Sequence, residues 1–159
     1  MPSFEERPPY SAYAAILGTF ATGLAGAGAL SRSLERDPQC QTALDLAVLG
    51  LATFKAARTV SRDAIASFLR EPFVHRAAHH GEGEEPLPTG GMAQAIGELV
   101  TCTRCVGTWV AAGLVSTQIL APRFGRLLTW SLGAAAANDF LQAGFASLTA
   151  KANEFDEGT

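Results

Sequence analysis

The sequence predicts an all-α fold: a polytopic transmembrane helical bundle of about four spanning helices with a cytoplasmic amphipathic connection. Long apolar stretches run almost free of charge, and the charged residues, 17% of the chain, collect in the tails and between those stretches. Several of the stretches approach the length at which a helix, rising about 1.5 Å per residue, crosses a hydrocarbon layer of about 30 Å. With 159 residues the chain makes one domain, with spans at about 10–30, 42–60, 106–121 and 127–148 and a polar connection at 61–105.

The segment before Tyr10 is polar, and Pro8-Pro9 stops a helix from extending back across it. Tyr10 to Leu30 is uncharged over 21 residues and reads as the first span. A cleaved secretory signal is the competing reading, but Glu5 and Glu6 outweigh Arg7 where a signal wants positive charge. Ala14, Gly18, Thr22 and Gly26 recur every fourth residue, the small-x-x-x-small spacing that lets helix backbones approach closely in lipid. Ser31 to Gln41 is a charged turn.

Thr42 to Val60 reads as the second span if Asp45 and Lys55 reach toward opposite interfaces, and otherwise as an amphipathic helix on the membrane or in a soluble bundle. Beyond it, Ser61-Arg62-Asp63 starts a short helix whose Ile65, Phe68 and Leu69 share a face suited to the lipid surface, and Glu71-Pro72 ends it. The run from His75 to Gly91, with His79-His80-Gly81-Glu82-Gly83, reads as a flexible loop, because it holds too little apolar surface to order itself. Met92 to Val100 regains helical periodicity, Val106 to Ala121 is the third span, and Leu127 to Leu148 is the fourth, with Asn138, Asp139 and Gln142 in its middle. The acidic tail from Lys151 reads as mobile.

Four spans put both termini and the connection on one side. That side carries Arg7, Lys55, Arg58, Arg62, Arg70, Arg76, Arg104 and Lys151, against Arg32, Arg36, Arg123 and Arg126 on the other. The bias toward basic residues on cytoplasmic loops therefore predicts a multi-pass protein of the cell (inner) membrane with both termini cytoplasmic. Its partners are the lipid bilayer and either further copies of itself or other membrane proteins. A net charge of −3 argues against nucleic acid, whose phosphates need a concentrated basic surface.

Chemistry concentrates at Cys102 and Cys105. At i and i+3 they share a helix face, and the helix N-terminus with Arg104 favours thiolate. The pair can pack as structural thiols, exchange disulfides, or hold zinc with His79 and His80 as the nearest further ligands; no cofactor is required, and zinc is the one that the residues would suit. Cys40 reads as a small packing residue. Asp139, ionisable near mid-membrane, is a second candidate, with pairing to Lys55 or a neighbouring helix as the bland alternative. Glu98 could pair with Arg104 or an arginine of the connection, and Arg58, Arg62, Arg70 and Glu71 complete the candidates.

Ala57-Arg58, Ser61-Arg62-Asp63, Leu69-Arg70-Glu71-Pro72-Phe73 and Gly97-Glu98-Leu99-Val100-Thr101-Cys102-x-x-Cys105-x-Gly107-x-Trp109-Val110, in that order, resemble domain of unknown function family 1360. That family comprises small bacterial multi-spanning membrane proteins, including a Bacillus sporulation protein, and the resemblance covers roughly Ala43 to Leu120. It implies a bacterial inner-membrane location and no established activity; the His- and Glu-rich stretch from His75 to Glu85 departs from the pattern. The sequence thus predicts a non-enzymatic structural or assembly component, with a thiol- or zinc-dependent membrane enzyme or sensor as the alternative.

Overall fold

Helical periodicity, broken mainly at prolines and glycines, divides this chain into helices joined by short turns. The computed structural model describes residues 8–36, 41–75 and 84–157. Cys40, His79 and His80 lie outside them. The helices are α1 (Tyr10–Ser33), α2 (Ala43–Arg62), the single turn α3 (Ser67–Arg70), α4 (Met92–Thr101), α5 (Thr103–Leu120) and α6 (Pro122–Glu157). Short 3-10 turns at Ala64–Ala66 and Glu71–Phe73 flank α3.

The boundaries have local causes. Thr42 caps α2 by accepting from the Asp45 amide at 3.2 Å, while Asp45 Oδ2 accepts from the Thr42 amide at 3.1 Å, so two otherwise orphaned donors are satisfied reciprocally. Pro122 opens α6, where a missing N–H costs nothing.

Helices α2, α5 and α6 pack around Leu49, Ala52 and Leu114, with Val110, Val115, Leu128 and Leu132 against them. Asp45 faces Arg126, the backbone at Val48 faces Gly133 and Lys55 meets Asp139, so α2 and α6 run parallel. Ala57 lies against Gly107 and Ser61 against Thr103, so α5 is antiparallel to α2. Phe20 meets Trp109 edge-on at 5.0 Å and the Tyr13 hydroxyl reaches Glu98, which leans α1 on α5 and α4. The long helices α1, α2, α5 and α6 therefore alternate in direction. The start of α1, the connection between α2 and α5, and the end of α6 fall on one side.

Side-chain size is distributed inside out. Ala52, Ala57, Ala136, Ser61 and Thr129 are at most 2% exposed, whereas Leu17, Leu44, Leu46, Leu127, Leu141 and Phe145 are each more than 60% exposed.

The all-α expectation holds. Among the described residues, by length and composition only α1 is apolar enough to cross a membrane alone, and α4 with α5, bent by 86° at their junction, would make a second span; Asp45, Lys55 and Arg58 dilute α2, as Asn138, Asp139 and Gln142 dilute α6. Three other expectations are corrected. No new helix starts at Ser61, because α2 continues through Arg62 before breaking at Asp63. Part of the supposed flexible loop is ordered, since Val74–His75 pairs antiparallel with Glu85–Pro86. The small-residue stripe of α1 has no helix against it: a Cβ on Gly18 or Gly26 would meet nothing within 4 Å.

Candidate functional site

The bend between α4 and α5 occurs at Cys102, whose extended backbone (φ −94°, ψ 101°) makes it the N-cap of α5. Its Sγ accepts a hydrogen bond from the Cys105 amide at 3.3 Å. Both thiols are free, Cys102 half-buried and Cys105 exposed. They lie ahead of the apolar run that begins at Val106, and their acidities diverge. The Cys105 thiol, with the amides of Cys105 and Arg104 and the Arg104 charge, stabilises the Cys102 thiolate and lowers its pKa. Cys105, hydrogen-bonded to Cys102 and partly desolvated, is pushed up to about 11. The two thiols supply half of the four ligands that a structural zinc takes, and no group of three or more His, Cys, Asp or Glu suited to a metal occurs among the described residues.

Arg70 is the most deeply buried charge among the described residues, at 0% exposure. Its guanidinium grips Glu84 with two bonds, Nε to Oε2 at 2.7 Å and Nη2 to Oε1 at 3.3 Å. Nη1 donates to the carbonyls of Val60 at 2.7 Å and Asp63 at 3.1 Å, satisfying acceptors that the end of α2 leaves over. Next to this clamp the hairpin presses on α4: a Cβ on Gly97 would lie 2.5 Å from the Phe73 carbonyl oxygen and 3.2 Å from Pro86 Cβ. Only the absence of a side chain permits that approach.

Among the described residues, Glu98 pairs with neither Arg104 nor an arginine of the connection. It accepts from the Tyr13 hydroxyl and from Gln94 Nε2 at 2.9 Å, and Gln94 in turn accepts from the Gly90 amide at 2.8 Å. A polar chain thus ties α1 to the start of α4. Gly90, at φ +68°, sits in the left-handed region that glycine favours.

Asp139 is bonded to Lys55 Nζ at 2.7 Å, with Phe54 stacked on Phe140 beside it at 5.4 Å. This is the pairing weighed from the sequence. Arg58 and Arg62 are exposed on α2, Arg104 is exposed at the start of α5, and Glu71 is exposed beside the clamp. Arg70 and Glu71, sequence neighbours, are thus separated into interior and surface. Sequence reasoning missed Tyr13, Glu84 and the Ser61–Thr103 hydroxyl pair at 2.7 Å, all of which act across long sequence separations. The glycine of the Gly97-Glu98 motif was the signal available for the close approach of the hairpin.

A family model described as protein of unknown function (DUF1360) matches residues 48–145, from α2 through most of α6. The sporulation protein YjcA of Bacillus subtilis (strain 168) is 32% identical over 96 residues, covering 54% of this chain and 76% of that protein. No solved structure gives a significant match.

Proposed function

The chain belongs to the DUF1360 family of proteins of unknown function, and on that premise we propose that it is a four-span integral protein of the bacterial inner membrane. In this reading it serves as a structural or assembly component, with both termini cytoplasmic. The observation that carries the reading is where side-chain size falls: beside a small core at Leu49 and Leu114, the most deeply buried side chains between the helices are mostly alanine, serine and threonine, while many leucine and phenylalanine side chains face outward. In water each large side chain left exposed forfeits about 1.5 to 3 kcal/mol of burial, whereas in lipid it forfeits none. Helices in lipid associate instead through small residues that let backbones approach.

The charges within the weaker spans fit the same reading. Lys55 and Asp139 neutralise one another between α2 and α6, as ionisable groups inside a membrane bundle do. The alternation of the long helices agrees with a basic side formed by the connection and the termini. The Bacillus relative supports a bacterial setting.

Retention in the membrane after sodium carbonate extraction tests integration. Reporter fusions at Asn153 and near Gly83 should read cytoplasmic and fusions at Pro38 external; a periplasmic signal at Gly83 would overturn the four-span reading. Cys102 and Cys105 pack without metal in this proposal. One equivalent of zinc in protein purified without added metal would instead favour the thiol- or zinc-dependent enzyme or sensor.

A further inference from the structure

We propose that the outward face at the end of α2, with the turns that follow it, binds the headgroups of anionic phospholipids. The inference rests on the membrane reading above and adds a lipid preference to it.

Arg58 and Arg62, four residues apart, project from one helix face and both are exposed. Arg104 is exposed close by, because its neighbour Thr103 lies 2.7 Å from Ser61 through their hydroxyls. None of the three arginines has a hydrogen-bond or ion-pair partner among the described residues, in contrast to Arg70, which is fully engaged inside. Most of the surrounding acids contact other groups. Asp63 accepts from the Thr59 hydroxyl at 2.8 Å, Glu84 holds Arg70, Glu98 holds Tyr13 and Gln94, Asp139 holds Lys55, and Glu71 also has a partner. Hydrogen bonds to the neutral Thr59, Tyr13 and Gln94 leave Asp63 and Glu98 charged, and Glu85 is exposed, so what distinguishes this face is three exposed guanidinium groups with no carboxylate paired to them among the described residues.

The apolar surroundings set the depth of this basic face. Directly after Arg62, Ile65, Phe68 and Leu69 stand 78%, 67% and 47% exposed, while Ala66 and Arg70 of the same turns point inward. Along the outer side of α2, Leu44 and Phe54 precede the two arginines. Apolar side chains above, arginines at the boundary and a second set of apolar side chains beside them match a bilayer interface, where the rings and aliphatic groups enter the acyl region and the guanidinium groups meet phosphate. Guanidinium presents paired donors suited to phosphate oxygens, and an anionic leaflet adds long-range attraction. A soluble acidic protein would satisfy the arginines but leave Ile65 and Phe68 in water, so the bilayer is the better fit.

The test uses the full chain purified in neutral detergent and titrated with phosphatidylglycerol or phosphatidylcholine while the thermal midpoint is followed. Phosphatidylglycerol should raise the midpoint at concentrations where phosphatidylcholine does not, and glycerol 3-phosphate should not reproduce the rise. Each arginine neutralised should weaken the apparent affinity about fivefold, and R58Q/R62Q/R104Q about a hundredfold. R32Q/R123Q, on the opposite side, should respond as the parent does. If the triple variant starts at a lower midpoint, the phosphatidylglycerol concentration for half-maximal rise still reports the site. Equal responses to the two lipids, or a triple variant with undiminished affinity, would overturn the inference. Carbonate extraction of the same protein separates this from the spanning reading: retention without a lipid preference sinks only the headgroup site, and release with the preference intact sinks only the spanning helices.

Discussion

Arg70 carries its charge into a position with no exposed surface, and four hydrogen bonds there join the end of α2 to Glu84. Removing one partner of such a buried pair leaves the other uncompensated, which costs about 3 to 5 kcal/mol. Arg70→Met should therefore lower the thermal midpoint sharply. Arg70→Lys should recover part of the loss, since an ammonium cannot reproduce the two-pronged contact. Glu84→Gln should cost less than Arg70→Met, because the amide keeps one acceptor and the two carbonyls remain; an equal loss in both would mean that the carbonyl contacts contribute nothing. The thiols make a second prediction at this scale. With iodoacetamide near neutral pH, peptide mapping should find Cys102 modified before the more exposed Cys105, because the thiolate is the reactive form and is favoured at Cys102. Modification of Cys105 should rise only as pH climbs toward about 11. Cys105→Ala should slow the reaction at Cys102, since the Cys105 thiol is the largest contributor to that thiolate's stability and alanine removes the donor. Rates that follow exposure alone would refute this assignment. Neither feature could be read in full from the sequence. The pairing of Cys102 with Cys105 is visible as i, i+3, but the burial of Arg70 depends on Glu84, which lies in a stretch whose composition reads as a loop.

At the scale of elements, glycines report which helices are in contact. Gly97→Ala would drive a methyl group into the Phe73 carbonyl oxygen, and overpacking of that kind costs about 1 to 3 kcal/mol or more. Gly18→Ala in α1 meets open space and should be neutral or stabilising by up to about 1 kcal/mol, the helix-propensity difference. Thermal unfolding of the two variants checks the contrast; a destabilising Gly18→Ala would show that α1 packs on something not seen in the isolated chain. The α2–α6 pair gives a companion test. Asp139→Asn keeps an acceptor for Lys55 Nζ, and the Asp139 side chain is 42% exposed, so the variant should lose about 1 kcal/mol or less, while Lys55→Ala with Asp139→Ala should show a small favourable coupling. Loss of folded protein in Asp139→Asn would mean that the charge itself is required. Lys55 and Asp139 were legible as partners because each interrupts an apolar helix. The partner of Glu98 was not, because Tyr13 sits 85 positions away on a helix whose sequence shows no reason to lean that way.

Across the whole molecule, the alternation of α1, α2, α5 and α6 follows from where the charges fall. The charged stretches at 31–41 and 122–126 and the long connection divide the sequence, so the helix order and the shared side of the start of α1 and the end of α6 could be read from composition, although Pro122–Arg126 is already the first turn of α6. Helix lengths could not. Helix α6 runs for 36 residues, about 54 Å at 1.5 Å per residue, through Lys151 and beyond, because nothing in that stretch breaks a helix even where nothing packs against it. The 86° bend at Cys102 was equally hidden, since neither proline nor glycine stands there and the turn is made by a cysteine capping the next helix.

The hairpin pairing of His75 with Glu85, reinforced by the grip of Arg70 on Glu84, holds the residues on either side of positions 76–83 next to one another. Closing that segment is therefore a cost already met by the folded body, and lengthening it adds only about 0.6 kcal/mol for each doubling. The protein should accept an inserted epitope or a small fluorescent domain between positions 76 and 83 with little change in its thermal midpoint. The same insertion next to Gly97, where the hairpin bears directly on a helix, should not be accepted.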